Sequence, residues 1–249
     1  MNNSIVFCGK GGVGKTTLAA LLTRLIIEKK ELKALVIDAD PTGGLSLALS
    51  LPIKKTINDL RKEVVAAAKE KRIDTSSLAA SVDYRLLESL TEYENIAFLA
   101  VGRPEEEGCY CQVNTFLRSS IEYLSDKFDL VIIDAEAGVE QVNRRVVSSV
   151  NRLFLVTDLS QRGLRVAETV HQVASTSGKY NEIGLIINRV SSEDALKIIL
   201  QDIKLPLVGH LPEDGTISSF DAAGKTFLEL PACPSLRAAS RLFESIIYF

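Results

Sequence analysis

Glycines and lysines near the start of the chain are spaced to hold phosphate groups. The stretch Gly9-Lys10-Gly11-Gly12-Val13-Gly14-Lys15-Thr16-Thr17 fits the pattern G-x-x-x-x-G-K-[ST]. Glycines let backbone N–H groups turn toward phosphate oxygens where a Cβ would obstruct them. Lys15 would neutralise the outer phosphates, and the Thr16 hydroxyl would ligate magnesium. The residues expected to contact the nucleotide here are Gly11, Gly12, Val13, Gly14, Lys15, Thr16 and Thr17.

The segments on either side of this loop support the interpretation. Ser4 to Cys8 is a short apolar run typical of a buried strand, and Leu18 to Lys29 keeps apolar residues at helical spacing. A strand, a glycine-rich loop and a helix in that order place the helix N-terminus, with its partial positive charge, beneath the phosphates. The alternative, a glycine-rich turn without a ligand, does not require this context.

Two further strands are followed by carboxylates. The apolar run Lys33 to Ile37 ends in Asp38-Ala39-Asp40-Pro41, and the run Asp129 to Ile133 ends in Asp134. The carboxyl ends of strands are where α/β sheets bind their ligands. Asp38, Asp40 and Asp134 are therefore expected near the phosphate loop. The alternatives are a solvent-facing acidic loop around Asp40 and a helix cap at Asp134.

The loop contains a further lysine, Lys10, which narrows the class of nucleotide-binding protein. With Lys10, the stretch reads K-G-G-V-G-K-T-T, which resembles the deviant Walker A motif of the MinD/ParA/nitrogenase iron-protein group of ATPases. The resemblance implies that Lys10 reaches across a dimer interface to the partner's nucleotide. It also implies that ATP drives the formation of a homodimer.

The same resemblance assigns roles to the other polar residues. Asp40 would orient or activate the attacking water, which makes Lys10, Lys15 and Asp40 the expected catalytic residues. Asp38 and Asp134 would lie in the magnesium shell with Thr16, and residues 135–138 would form a second switch. Asn188 would read adenine through its amide, with backbone near Leu211 and Pro212 completing the pocket for ATP or ADP.

A cysteine pair, Cys109-Tyr110-Cys111, could bind a metal ion. In an extended segment the side chains of residues i and i+2 point to the same side. One chain then offers two thiolates, whereas a closed zinc site requires four ligands, and two symmetry-related chains would supply them. Four sulfurs also suit nickel(II) in a square-planar arrangement. Two reduced structural thiols are the alternative.

Taken with the nucleotide motifs, Gly-Cys-Tyr-Cys and the downstream Asp134-Ala135-Glu136-Ala137-Gly138 resemble the CooC family of nickel-insertion ATPases. That resemblance implies a dimeric metallochaperone that carries nickel, with zinc able to take its place, on Cys109 and Cys111. Its client would be carbon monoxide dehydrogenase or acetyl-CoA synthase. A positioning or partition ATPase and an iron–sulfur cluster carrier remain alternative functions.

The order of apolar and helical segments predicts the fold class. Seven short apolar strands alternate with helices, which indicates an α/β fold with a mostly parallel sheet and helices on both faces. Residues 56–95 are the least interpretable part. The last segment, Leu236 to Phe249, carries an apolar helical stripe but few basic residues, so we expect a core-packed helix rather than a membrane-binding one. The whole chain, 1–249, is expected to form one domain.

Composition limits the possible partners. The 249 residues carry a formal net charge of -3, which argues against non-specific nucleic-acid binding. No basic leader precedes the first strand, and no apolar run approaches the ~20 residues of a membrane-spanning helix. We therefore expect a cytoplasmic protein without stable membrane association. His171 and His210 are isolated in the sequence and are expected to be structural.

Overall fold

A computed structural model of the protein describes residues 3–69, 84–103, 119, 122–135, 150–177, 180–201 and 203–247. The described strands form one sheet with the spatial order β3-β4-β2-β5-β1-β6-β7-β8. All neighbouring strands are parallel except β3 and β4, which are antiparallel. The strands are β1 (Asn3–Gly9), β2 (Ala34–Asp38), β3 (Thr91–Tyr93), β4 (Ile96–Ala100), β5 (Leu130–Asp134), β6 (Val150–Thr157), β7 (Tyr180–Val190) and β8 (Leu207–Pro212).

The prediction of a mostly parallel α/β sheet is confirmed, but the number of strands was wrong. The described sheet has eight strands, and the additional one is β3 at the edge. With only three residues, Thr91–Tyr93, this strand is too short to show an alternating or continuous apolar pattern.

Seven α-helices with assigned limits lie in the described part of the chain. They are α1 (Lys15–Lys29), α2 (Gly44–Leu49), α3 (Ile57–Lys69), α4 (Gln161–Ser177), α5 (Glu193–Leu200), α6 (Gly215–Ala222) and α7 (Pro234–Ile246). Residues 84–89 are also helical, and a short 3-10 turn covers Phe227–Glu229. None of the described helices combines the length and the apolar character needed to cross a bilayer.

Alternate residues of each central strand enter opposite hydrophobic cores. In β1, Ile5 and Phe7 pack with α1 and α7 on one face, whereas Val6 and Cys8 pack with α3 and α4 on the other. This two-residue period explains why both faces need helices and why the central strands are continuous apolar runs. The sheet is thereby fixed on both sides, and its carboxyl edge is left to carry polar residues.

Helix α7 belongs to the first of these cores. Phe243 is fully buried and contacts Phe7 edge-on, with ring centroids 6.1 Å apart and an interplanar angle of 77°. Leu242 and Ile246 are also buried. The expectation of a core-packed helix is confirmed for the described residues of this segment.

Candidate nucleotide-binding site

The predicted phosphate loop connects the central strand β1 to helix α1. Gly14 precedes the helix with a φ of 96°, in the left-handed region that favours glycine. A Cβ at this position would also collide with the Asn188 amide group. The Asn188 amide nitrogen instead donates a 2.9 Å hydrogen bond to the carbonyl of Val13. A residue of β7 thus fixes the shape of the loop.

The side chain of Lys15 is buried within the phosphate loop. Lys15 is only 7% exposed, and its ammonium donates to the Lys10 carbonyl at 3.4 Å. Its charge is therefore directed into the loop rather than into solvent. It lines a cavity of about 760 Å³ together with Gly11, Gly12 and Thr16. A volume of this size is typical of a small-molecule site.

Lys10 is partly exposed and lies beside the end of β6, because Gly9 pairs with Val156 in the sheet. Asp158 follows that strand and accepts hydrogen bonds from the backbone N–H and the hydroxyl of Ser160. Partial burial opposes ionisation of Asp158, but these hydrogen bonds and the positive charge of Lys10 hold its pKa below the usual range. Lys10 therefore has a carboxylate partner nearby within its own chain.

Thr16 and Asp134 form a pair suited to magnesium. The Thr16 hydroxyl donates to Asp134 Oδ2 at 2.7 Å, and Asp134 is fully buried at the end of β5. Its second oxygen, Oδ1, is buried and has no hydrogen-bond partner among the described residues. Burial raises the pKa of Asp134 to about 7, although the hydrogen bond from Thr16 favours the ionised carboxylate and opposes this rise. A buried, unpaired carboxylate oxygen beside a hydroxyl fits a hard cation that prefers oxygen ligands.

Asp38 lies beside Asp134, since the two residues are paired across β2 and β5. Its Oδ2 accepts from the N–H groups of Leu45 and Ser46 at 3.0 and 3.2 Å, and its Oδ1 accepts from Asp40 N at 3.2 Å. Burial raises the pKa of Asp38 to about 6, although these backbone N–H groups oppose the rise. Asp38 thus holds the start of α2 against the sheet, and its place in a magnesium shell stays a prediction.

Asp40 lines the phosphate cavity on the connection from β2 to α2. Its Oδ1 accepts from the backbone N–H of Thr42 at 2.9 Å and from the Thr42 hydroxyl at 2.7 Å. The carboxylate is therefore held by a local turn at the edge of the cavity. Its role toward an attacking water stays a prediction.

A second cavity, of about 210 Å³, adjoins the loop at Thr17 and contains the predicted base-binding residues Asn188, Leu211 and Pro212. Asn188 is 4% exposed, and its hydrogen bond to Val13 fixes the orientation of its side-chain amide. Asp214 caps α6 through Thr216 N at 2.9 Å and also accepts from Ser235 N at 2.8 Å. The cavity is therefore built from the ends of β7 and β8 and the starts of α6 and α7.

Comparison with known proteins decides the class of this site. Residues 5–227 match the profile of the CobQ/CobB/MinD/ParA nucleotide binding domain. The chain belongs to this family. The match includes the phosphate loop, the aspartates at positions 38, 40 and 134, and the predicted base-binding residues Asn188, Leu211 and Pro212. Nucleotide binding is thus a property of the family.

Three relatives illustrate the range within and around the CobQ/CobB/MinD/ParA family. An uncharacterized ATP-binding protein of Methanocaldococcus jannaschii is 34% identical over 233 residues, covering 91% of each chain. The carbon monoxide dehydrogenase accessory protein CooC of Rhodospirillum rubrum is 27% identical over 241 residues, covering 92% of this chain and 91% of its own. The solved MinD cell division protein of Aquifex aeolicus has a TM-score of 0.71 at 22% identity, covering 100% of this chain and 98% of its own.

The structure adds residues that the sequence interpretation missed. Arg189 lines both cavities, Asp158 lies beside Lys10, and Asp214 supports the second cavity. Asp158 follows the apolar strand β6, so the rule that selected Asp38 and Asp134 could have selected it. Arg189 gave no signal of its own, because its position depends on the local path of β7.

Some predicted residues fall outside the described part of the chain. Cys109, Cys111 and most of the second switch, 136–138, are among them. Among the residues that are described, no group of three or more His, Cys, Asp or Glu side chains is arranged to hold a metal ion. His210 Nε2 lies 3.5 Å from a Glu193 carboxylate oxygen, and its structural role stays a prediction.

Proposed function

We propose that this protein is an ATP-hydrolysing switch that works as a homodimer. The observation that carries the proposal is the buried Thr16–Asp134 pair beside a phosphate loop that holds Lys15. Asp134 Oδ1 has no hydrogen-bond partner within the described ranges of the chain. Thr16 and Asp134 would hold magnesium, which neutralises phosphate charge when bound. Lys15 binds the outer phosphates, and Asp40 takes the proton of the attacking water. Lys10 completes the phosphate site of the partner chain.

We further propose that the switch handles nickel as cargo. Cys109 and Cys111 supply two thiolates per chain, so two chains together supply four. Support comes from the sequence pair itself and from the 27% identical relative named as a carbon monoxide dehydrogenase accessory protein. The client would then be carbon monoxide dehydrogenase or acetyl-CoA synthase. Zinc can occupy the same four thiolates in a tetrahedral geometry.

Energetics limit how such a switch can release metal. Structural zinc sites bind with apparent free energies of ~10–16 kcal/mol. Inverting a two-state equilibrium from 1:99 to 99:1 takes only ~5.5 kcal/mol of differential binding. Hydrolysis on this scale can bias release from a loosely held site but cannot empty a very tight one. The cysteine site should therefore exchange its metal more readily than a structural zinc site.

The cargo proposal is tested by metal stoichiometry. Equilibrium dialysis of nickel with sedimentation of the same samples should give about one ion per dimer, because each chain supplies only half of the ligands. Cys109→Ser or Cys111→Ser should weaken binding strongly, since each removes two ligands from a symmetric site. The nucleotide affinity should not change, because the phosphate loop is separate in chemistry.

Cys233→Ser is the matched control. Cys233 is 2% exposed and occupies the N-cap position of α7, where serine is favoured. This variant should keep the metal stoichiometry of the wild type. Unchanged nickel binding in the Cys109→Ser/Cys111→Ser double variant would defeat the cargo proposal.

The competing function is that of a positioning ATPase, as the name of the similar MinD cell division protein suggests. Such a protein would share the nucleotide residues but would not need Cys109 or Cys111. Helix α7 does not favour it, because its apolar residues Leu242, Phe243 and Ile246 are buried in the core. A visible charge-transfer absorption after anaerobic purification would instead favour an iron–sulfur cluster carrier.

A further inference from the structure

Arg189 stands at the junction of the two cavities of the nucleotide site. It lines the phosphate cavity with Lys15 and Thr16, and it lines the second cavity with Asn188 and Pro212. Thr17 is the other residue common to both lining sets. The two cavities therefore adjoin at Arg189 and Thr17.

The covalent order of a nucleotide determines what must occupy this junction. When the base lies beside Asn188 and the outer phosphates lie at Lys15, the ribose and the α-phosphate have to bridge the two cavities. The α-phosphate is negatively charged and offers acceptor oxygens. A guanidinium group matches it with several N–H donors in a planar fork.

The Arg189 side chain is available for such a contact. The residue is exposed, and within the described part of the chain no carboxylate lies within ion-pair distance of its guanidinium group. By contrast, Arg24 pairs with Glu28, and Arg152 pairs with Glu182. The charge at the junction is thus not neutralised by these described groups.

The backbone at Arg189 is unusual for a residue with a Cβ. Its φ is 55°, in the left-handed region, and the pairing of β7 with β8 shifts register between Ile187 and Val190. An irregularity of this kind changes the direction of a side chain in a strand. In a regular strand, the side chain of residue 189 would point in a different direction and would not reach the cavities.

We propose that Arg189 is a nucleotide-binding residue that pairs with the α-phosphate and so joins base recognition to phosphate binding. This role rests on the proposed ATP-dependent function. It predicts that Arg189 contributes equally to the binding of ATP, ADP and AMP, because all three carry an α-phosphate. Adenosine lacks that group and should bind without help from the guanidinium charge.

The test is equilibrium competition of each compound against a fluorescent ATP analogue labelled on its terminal phosphate, with magnesium present. Arg189→Ala and Arg189→Gly should weaken ATP and AMP by a similar factor of about 10- to 100-fold, the size of a hydrogen bond to a charged group. Adenosine affinity should change less than about 3-fold. Arg189→Lys should recover part of the loss, because it restores the charge without the planar fork.

Lys30→Gly is a matched control, since Lys30 is also a cation with a left-handed φ, of 56°, but lines neither cavity. It should leave nucleotide affinity unchanged. Thermal unfolding should show that neither glycine variant is less stable than the wild type, because glycine adopts this conformation without strain. A loss of affinity in Arg189→Gly with an undiminished melting temperature then reports a ligand contact.

Two results would overturn this role while leaving the ATP function intact. One is wild-type affinity for ATP and AMP in Arg189→Ala. The other is an equal loss for adenosine, which would indicate contact with the base or the ribose instead of the α-phosphate. If the wild-type protein itself failed to bind ATP, the proposed function would fall first and the Arg189 role with it.

Discussion

At the scale of single residues, Asp134 shows most clearly that the site is built for a ligand. A carboxylate that is fully buried with one unpartnered oxygen among the described residues is unfavourable for folding. The nearby Asp38 carboxylate adds to the cost, because its charge further raises the pKa of Asp134. A bound cation would offset both effects. The nucleotide-free protein therefore holds a destabilising group that the proposed magnesium nucleotide would relieve.

Asp134→Asn should accordingly stabilise the nucleotide-free protein at high pH. The pKa of Asp134 rises from its ordinary value of 3.8 to about 7 in the folded state. Between these values the folded protein binds more protons than the unfolded chain, so the free energy of unfolding falls as pH rises. The variant lacks this penalty. Its advantage should be at most ~4 kcal/mol at pH 8 and should shrink toward pH 4.

Urea unfolding at several pH values without nucleotide measures this difference. Asp194→Asn is a suitable control, because the Asp194 side chain is 91% exposed and its substitution should leave the pH dependence unchanged. The Asp134→Asn variant should also bind magnesium nucleotide more weakly than the wild type. A variant that is less stable than the wild type at pH 8 would contradict the proposed conflict at Asp134.

At the scale of elements, the apolar face of α7 is committed to the core. Phe243→Ala should lower the free energy of unfolding by about 3–5 kcal/mol, since it opens a cavity between α7 and β1. Arg241→Ala, at an exposed position of the same helix, should have little effect. Chemical denaturation of both variants tests the prediction. A loss below about 1 kcal/mol for Phe243→Ala would show that α7 is only loosely held and would strengthen the positioning-ATPase alternative.

The helices and strands that the sequence predicted are those with a strong local pattern. The apolar runs ending in Asp38 and Asp134 are strands β2 and β5. Contacts between Thr56 and Asp59 mark the start of α3 in the same local way. There, Asp59 N donates to the Thr56 hydroxyl at 3.1 Å and Asp59 Oδ2 accepts from Thr56 N at 2.9 Å. Such contacts lie within four residues, so they can be read from the sequence.

Features stabilised by distant contacts could not be predicted in this way. Helix α2 starts at Gly44, which is a poor helix former, and its first N–H groups are capped by the buried Asp38 carboxylate. The hydrogen bond from Asn188 to Val13 joins residues 175 positions apart. The left-handed conformation of Arg189 likewise accompanies the register shift between β7 and β8. The sequence therefore predicts the ligand class, whereas the details of its recognition require the structure.

At the scale of the whole molecule, the position of Lys10 connects nucleotide binding to assembly. Lys15 is nearly buried and directed into the loop, whereas Lys10 is partly exposed at its outer side. The negative charge of Asp158 lies near Lys10 in the same chain. To reach a partner's phosphates, the Lys10 ammonium has to leave the negative charge of Asp158. It therefore needs a stronger electrostatic attraction at the interface. A triphosphate across the interface provides it, because it carries several negative charges.

The two lysines should therefore have separable effects. Lys15→Ala should abolish tight ATP binding, because the loop loses its buried cation. Lys10→Ala should keep most of the ATP affinity of the isolated chain but lose ATP-driven dimerisation and hydrolysis. Equilibrium titration with ATP measures the affinity, sedimentation equilibrium with and without ATP measures dimerisation, and phosphate-release assays measure hydrolysis. Lys197→Ala is the control. The Lys197 side chain on α5 is 72% exposed, so this variant should behave as the wild type.

The decisive part of this prediction is which properties are lost together. In Lys10→Ala, dimerisation and hydrolysis should fall together, because one cross-subunit contact serves both. The ATP affinity of Lys10→Ala should fall only slightly, by the amount that dimerisation adds to ATP binding. By linkage, this amount equals the amount that ATP adds to dimerisation. An ATP-dependent dimer of wild-type strength in Lys10→Ala would remove the cross-subunit role, and hydrolysis would then have to be completed by residues of a single chain.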